Sequence, residues 1–448
     1  MGRKKSQGNF QGITKVPNMD NDSHMKSDGC KMSHHLSQNG NLYHNCQRRR
    51  VDHRSSTQSS DNIPSQRHVN FNDLPDDVLY TIFQYLLPSE LCNLRCVSRR
   101  FLFLASKDVV WLPHAKKIDI LMGYNWQCSA MEMCRVAPRW RKGCFRQAYI
   151  ARQKKRQMPW LCKAENSLLL SRSSCVHFFD CHTNGRVVED KSRCLEGGTE
   201  DLTRFVVKDN IVVSGCRDGS VCWWDSIDPE NRLVSTNKVH KSETHCVDFT
   251  DSFIVSGSRD TTCKVLRFDR SGNTQGNVIL KSFEAGERVW SLKISPNQEI
   301  FAAGLAGCLD DPPVVLWDIE SGSCVAQLSV NHRRGAGVLD LRFESPNELL
   351  TCGYDTFIRL WDMRTHTCVR QWEEPFDSAL YCIDTDGENT MVVGTARHGM
   401  VRLWDKRQDD PVQMMYCKNS HSPVYSLAMD YGHLYIALDT GLAIMDFT

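Results

Sequence analysis

A chain of 448 residues, 41% apolar and 24% charged, is long enough for two or more domains and has the composition of a water-soluble globular protein. Its formal net charge of +2 gives no general pull toward nucleic acid, and no nucleic-acid partner is expected. No run of eighteen apolar residues exists and the first thirty lack an apolar core, so neither a membrane span nor a secretory signal is expected.

Residues 1–69 are rich in Ser, Asn, Gln, His, Lys and Arg and have almost no aliphatic periodicity. Too little apolar surface is available there to offset chain entropy, which predicts a disordered basic and polar tail. Its clusters Arg3-Lys4-Lys5 and Arg48-Arg49-Arg50 read as solvated charge, with nuclear import or an acidic surface as the functional alternative. Met1-Gly2-Arg3-Lys4-Lys5-Ser6 fits N-myristoylation at Gly2, a short pattern often matched by chance. Cys30, His34, His35, His44 and Cys46 lack the paired spacing of a zinc frame, and no metal is assigned.

The chain changes character at residues 70–112. Val78, Leu79, Ile82, Phe83 and Leu86 follow Leu74-Pro75 at helical spacing, with Asp73, Asp76 and Asp77 suited to the positive end of a helix dipole. Pro88-Ser89-Glu90 restarts the chain into a second helix carrying Leu91, Leu94 and Val97, and a third segment from Arg99 leads to Trp111. Three helices this short barely form a core and are expected to leave a Leu-rich face for a partner. Residues 113–157 form a basic connector with helical spacing, expected as a solvated stem, and Gly143–Arg152 within it is a candidate to close the last sheet of the C-terminal region.

Residues 158–448 repeat one pattern: an apolar strand, a small-residue strand, a turn with Asp, and a third strand ending in Trp-Asp. Clear copies end at Trp224-Asp225, Trp317-Asp318, Trp361-Asp362 and Trp404-Asp405, and degenerate ones at Phe179-Asp180, Leu266 and Met445-Asp446. Endings roughly 41 to 51 residues apart match the four-stranded blades of a propeller, and seven blades are expected. The last copy stops at Met445-Asp446, so its outer strand must come from upstream or be missing. A closed ring of blades presents a broad concave surface and is built to hold something.

Segment 74–111, LPDDVLYTIFQYLLPSELCNLRCVSRRFLFLASKDVVW, resembles an F-box, with Phe101 where many F-boxes carry Trp. The blades resemble WD40 repeats. GAGVLDLRFESPNELLTCGYDT (335–356), QWEEPFDSALYCIDTDG (371–387) and MVRLWDKRQ (400–408) narrow the resemblance to the F-box/WD-repeat proteins. The fold it implies is mainly β: a seven-bladed WD40 β-propeller behind a small three-helix F-box. The function it implies is that of a substrate receptor in SCF-type ubiquitin ligases. The F-box would bind a Skp adaptor, and through it cullin and RING subunits, while the propeller recruits a protein substrate, in some relatives a phosphorylated one, for proteasomal degradation. Such a subunit is not an enzyme and needs no cofactor. The alternative is a scaffold that assembles a complex without ubiquitinating a substrate.

On that resemblance Leu74, Pro75, Leu79 and Leu91 are expected to bind the adaptor, with Ile82 and Leu94 as core. Arg217, Arg259, Tyr354 and Arg397 precede the turn position of blades two, three, five and six, where ligands approach such rings. Trp290, Tyr381 and Tyr425, with His245, lie on first strands facing the same way. Arginines among aromatics suit an acidic or phosphorylated segment, as in the SGSRD context of phosphodegron readers; the plain alternative is that each pairs with a neighbouring Asp. Asp218, Asp260, Asp355 and Asp439 with His240, His332 and His421 are expected to stitch the blades internally, His332–Asp355–Trp361 making the best set, while His398 stands at the Asp position of blade six. Cys175, His177, Cys181 and His182 read as strand packing ahead of zinc. The 21 cysteines are scattered singly, many inside apolar strands (Cys246, Cys263, Cys352, Cys382), which reads as reduced thiols of a cytoplasmic or nuclear protein.

Overall fold

The computed structural model describes residues 71–448 apart from 122, 124–127, 154–157, 183–184, 199, 228–232, 271–277 and 419. The tail reading, with its basic clusters, Gly2 pattern and Cys/His set, lies outside the described residues.

The helical unit has four helices where three were expected: α1 (Asp76–Phe83), α2 (Pro88–Leu94), α3 (Arg99–Ala105) and α4 (Asp108–Ala115). The Ser98 hydroxyl caps α3 by accepting from the Phe101 N–H at 3.1 Å. Phe101 packs edge-on against both Phe71 and Phe83, filling the place of the larger indole. Trp111 does not end the unit. It sits inside α4, buried, with its Nε1 donating to the Ala105 carbonyl at 2.7 Å.

A fifth helix, α5 (Ala130–Lys142), replaces the solvated stem. Ser129 and Glu132 cap its start reciprocally, and Gly143 at φ 62 ends it in the left-handed conformation. Val136, Ala137 and Trp140 form its buried face. Trp140 stacks on Phe447 at 3.9 Å, its Nε1 donates to the Tyr431 carbonyl, and the Tyr431 hydroxyl donates back to that of Glu132. The helix is thereby clamped to the last blade at both ends.

Seven four-stranded antiparallel sheets follow, spanning 161–196, 202–238, 244–284, 289–328, 338–373, 380–416 and 424–446. The seventh sheet takes its outer strand from upstream: Arg146–Arg152 pairs antiparallel with Gly441–Asp446. The ring is thus closed by the segment that precedes its first blade, and no blade is left with three strands. Small residues set the blade spacing. A Cβ on Gly257 would come within 2.6 Å of Val289 on blade four, and one on Gly394 within 2.5 Å of Val424 on blade seven.

The polar stitching differs from expectation. The fullest set lies on blade three, whose third strand ends in Leu266 instead of Trp. His240 Nδ1 donates to Asp260 at 3.1 Å and its Nε2 accepts from Ser256 Oγ at 2.8 Å, the pattern of a neutral imidazole. On blade five His332 and Asp355 do not meet. Asp355 pairs with Arg359 at 2.6 Å, His332 Nδ1 accepts from the Val330 N–H, and only the bond from Trp361 Nε1 to Thr351 at 2.9 Å remains of the expected set. Arg359, four residues on, offers the carboxylate a planar guanidinium and takes the place expected for the histidine.

Burial holds His240 at about 4, below its ordinary 6.5, against the opposing pull of Asp260. The neutral ring is the one that folds, so stability is complete above pH 6.5 and falls as pH drops toward about 4, by on the order of 2–3 kcal/mol for this group. Asp260, held below the usual carboxylate range, loses its share in the same direction. Thermal midpoints should therefore decline across that acid window, and His240→Gln should flatten the decline. A midpoint indifferent to pH there would contradict the assignment.

Candidate functional site

Each inner strand but that of blade one carries a register shift near its start, where one residue steps out of the ladder. A bulge of this kind re-aims its side chain. The residues within these shifts are His245, Trp290, Leu339, Tyr381 and Tyr425, with Thr203 and Arg204 sharing the wider shift of blade two. All line one cavity of about 420 Å³ at the axis of the ring.

Aromatic rings form part of its wall. The rings of His245 and Trp290 lie parallel, 2° apart at 4.6 Å, and His245 Nδ1 donates to the Val289 carbonyl at 3.0 Å. Tyr354, Tyr381 and Tyr425 follow one another at 6.1 and 6.0 Å. Arg204 lies 4.2 Å over the Trp160 ring and reaches from blade two to blade five, where it pairs with Asp340 at 3.2 Å and donates to the Leu339 carbonyl. That bridge joins two blades that are not neighbours in the ring, and both Arg204 and Leu339 belong to the lining of the cavity.

Of the seven residues expected here, the structure gathers six: Arg217, Arg259, Trp290, Tyr354, Tyr381 and Tyr425. Arg397 is not among the lining residues. In blades two, three and five, three residues separate the second and third strands, and the first of them donates its N–H across the link: Arg217 to Asp201, Arg259 to Glu243, Tyr354 to Gly337. Blade six has one residue more between Thr395 and Met400, and there Ala396 makes that bond, to Ala379. Ala396 is the true counterpart, and Arg397 stands one place on, exposed, beside His398. The neighbouring His398 packs on His421 at 5.8 Å, not in a stitching set.

Arg204, Arg288, Leu339 and Trp160 were missed. Alignment with His245 and Trp290 as strand-one positions would have found Arg204 and Leu339. Arg259 has Glu243 at 3.6 Å, whereas Arg217 and Arg288, both exposed, make no ion pair among the described residues. Asp201 and Glu243 are the acids in the lining.

The second expected site needs a larger correction. Leu79 and Leu91 are fully buried inside the helical unit, because they face α3 and α4 and not solvent. Leu74 is half-buried and Pro75 exposed, while Ile82 and Leu94, expected as core, are only partly covered. The surface instead exposes Val78, Tyr85, Leu87, Val97 and Phe103, with Tyr85 at 85% and Val97 at 65%. Among the described residues no group of three or more metal-ligating side chains converges, and no helix is long and apolar enough to cross a membrane.

Comparison with known proteins now bears on both sites. The F-box-like family model matches residues 71–112, and the model of the WD domain, G-beta repeat, matches residues 231–266 and 322–362. F-box/WD repeat-containing protein 4 of Mus musculus is 35% identical over 395 residues, covering 84% of this chain and 92% of that protein. Its Homo sapiens namesake is 34% identical over 392 residues with the same coverage. A match that runs through helices and blades alike, over nearly the whole length of those relatives, means that the chain belongs to the F-box/WD-repeat protein family.

Proposed function

We propose that the protein is the substrate-recognition subunit of an SCF-type ubiquitin ligase. The helical unit binds a Skp adaptor, and through it cullin and RING subunits, and the ring holds the protein to be modified. The observation that carries this reading is the pairing of an apolar helical surface with an open, arginine-rimmed cavity, joined by α5. A receptor of this kind contributes no reacting group. It raises the local concentration of substrate beside a charged ubiquitin carrier.

The adaptor arm is tested at the exposed side chains. Leu87→Asp and Val97→Asp should abolish capture of a Skp adaptor while leaving the fold intact, since both side chains are more than half exposed. Leu79→Ala should cost about 2–5 kcal/mol of stability in the helical unit, which is a packing effect and not an interface effect. The substrate arm is tested by changing Arg217, Arg259 and Arg288 together to Ala. Proteins that co-purify and accumulate on proteasome inhibition should be lost, with the adaptor retained. Bound proteins whose levels ignore the proteasome would favour a scaffold.

A further inference from the structure

Blade two buries two thiols against each other. Cys216 ends the strand Ile211–Cys216, Cys222 lies in the next strand, Ser220–Asp225, and their sulfurs are 3.3 Å apart. The ladder pairs Ser214 with Cys222 and Gly215 with Val221, so the two cysteines stand one step apart on the same face of the sheet. That face packs on Leu169, Val176, Phe178 and Leu195 of blade one. A disulfide bond is about 2.05 Å long, so the sulfurs need to close by only roughly 1 Å.

We propose that Cys216 and Cys222 form a reversible dithiol–disulfide pair, oxidised by hydrogen peroxide, that locks the turn Arg217-Asp218-Gly219. The peroxide O–O bond breaks as one sulfur takes an oxygen, giving a sulfenic acid and water. The second sulfur then attacks the first, the S–O bond breaks, and the oxygen leaves as water with the second thiol's proton. Two thiols lose two electrons and the peroxide becomes two waters; a reducing thiol such as glutathione reverses the bridge.

The locked turn is tied on both sides. The Arg217 N–H donates to the Asp201 carbonyl, in the link from blade one, at 3.0 Å, and the Gly219 carbonyl accepts from Val239 and His240, in the link to blade three. Closing the bridge therefore pulls on Arg217 of the axial lining and on the His240 set together. The contact with Cys222, and then burial, push the Cys216 thiol up, so the closed fold holds little thiolate. Oxidation waits for blade one to lift. Its inner strand, Leu161–Ala164, has four residues, the fewest of the seven inner strands, and Cys162 and Ala164 on it help cover the pair. The pair thus records sustained oxidation slowly.

The test treats the full chain with hydrogen peroxide, blocks the remaining thiols with N-ethylmaleimide and digests with trypsin. Cleavage after Arg217 leaves Cys216 in residues 209–217 and Cys222 in residues 218–232, so only a bond between them joins the two peptides. The joined peptides should form, should separate with dithiothreitol, and should appear at least about tenfold faster in urea below the unfolding transition. Hydrogen exchange across residues 211–225 should slow in the oxidised protein. Cys222→Ala should leave a sulfenic acid on Cys216 that dimedone traps; where that variant fails to fold, Cys216→Ala should place the adduct on Cys222. Bridges to other cysteines, a rate indifferent to urea, or both peptides staying reduced while the exposed Cys308 is oxidised would overturn the inference. Neither thiol belongs to the adaptor surface or to the cavity lining, so the proposed function is tested separately.

Discussion

Arg402→Met is expected to destabilise the ring by about 3–5 kcal/mol, a large share of the margin a domain of this kind has. Arg402, on the third strand of blade six, and Glu374, in the link that precedes that blade, form an ion pair in which both side chains are wholly buried. The Arg402 guanidinium donates from Nε to Glu374 and lies 4.9 Å over the Phe376 ring. Glu374 also accepts from the N–H groups of Phe376 at 2.9 Å and Ser378 at 2.7 Å. Removing the cation strands a buried carboxylate that still organises the link. Removing both charges, as Glu374→Gln with Arg402→Met, should recover much of the loss, since the desolvation of the pair disappears with it. Chemical denaturation of the four species forms the cycle that checks this. A single variant within experimental error of the parent would mean that water reaches the pair.

The second large effect concerns the closing strand. Gly441, at φ +137, lies against the carbonyl oxygen of Ala151, and a Cβ there would collide with it. Gly441→Ala should therefore prise Arg146–Arg152 away from the seventh blade. A loss of about 2–4 kcal/mol is expected, together with an unpaired sheet edge and a tendency to aggregate. Hydrogen exchange should rise first in residues 146–152, with association visible by size exclusion. Ala151→Asp, which buries a charge among Leu161, Leu442 and Ile444, should reproduce the defect without touching the glycine. Unchanged exchange in that strand would show that the contact yields cheaply.

Much of this architecture is legible in the sequence because it is local. Each blade is a run of adjacent hairpins, so alternation, turn residues and the Trp-Asp ending reveal it even at blade three, where Leu266 replaces Trp. The closing pair is not local: Arg146 meets Asp446 across 300 residues, and Gly143–Arg152 became a candidate only because the last copy of the pattern lacks an outer strand of its own. The cavity followed from register where register held, which is why His245, Trp290, Tyr381 and Tyr425 were found. It failed at Arg397 because one extra residue slips the turn, and at Leu339 because a leucine at an axis looks like any other leucine. The helical unit failed differently. Periodicity shows that Leu79 and Leu91 share a buried side of their helices, but not whether that side is covered by the unit itself or by a partner.

The Arg204 bridge from blade two to Asp340 on blade five ties together sheets that are not neighbours in the ring. Arg204 also belongs to the lining of the axial cavity, so a change at this one side chain alters the charge of that lining and the tie between the two blades together.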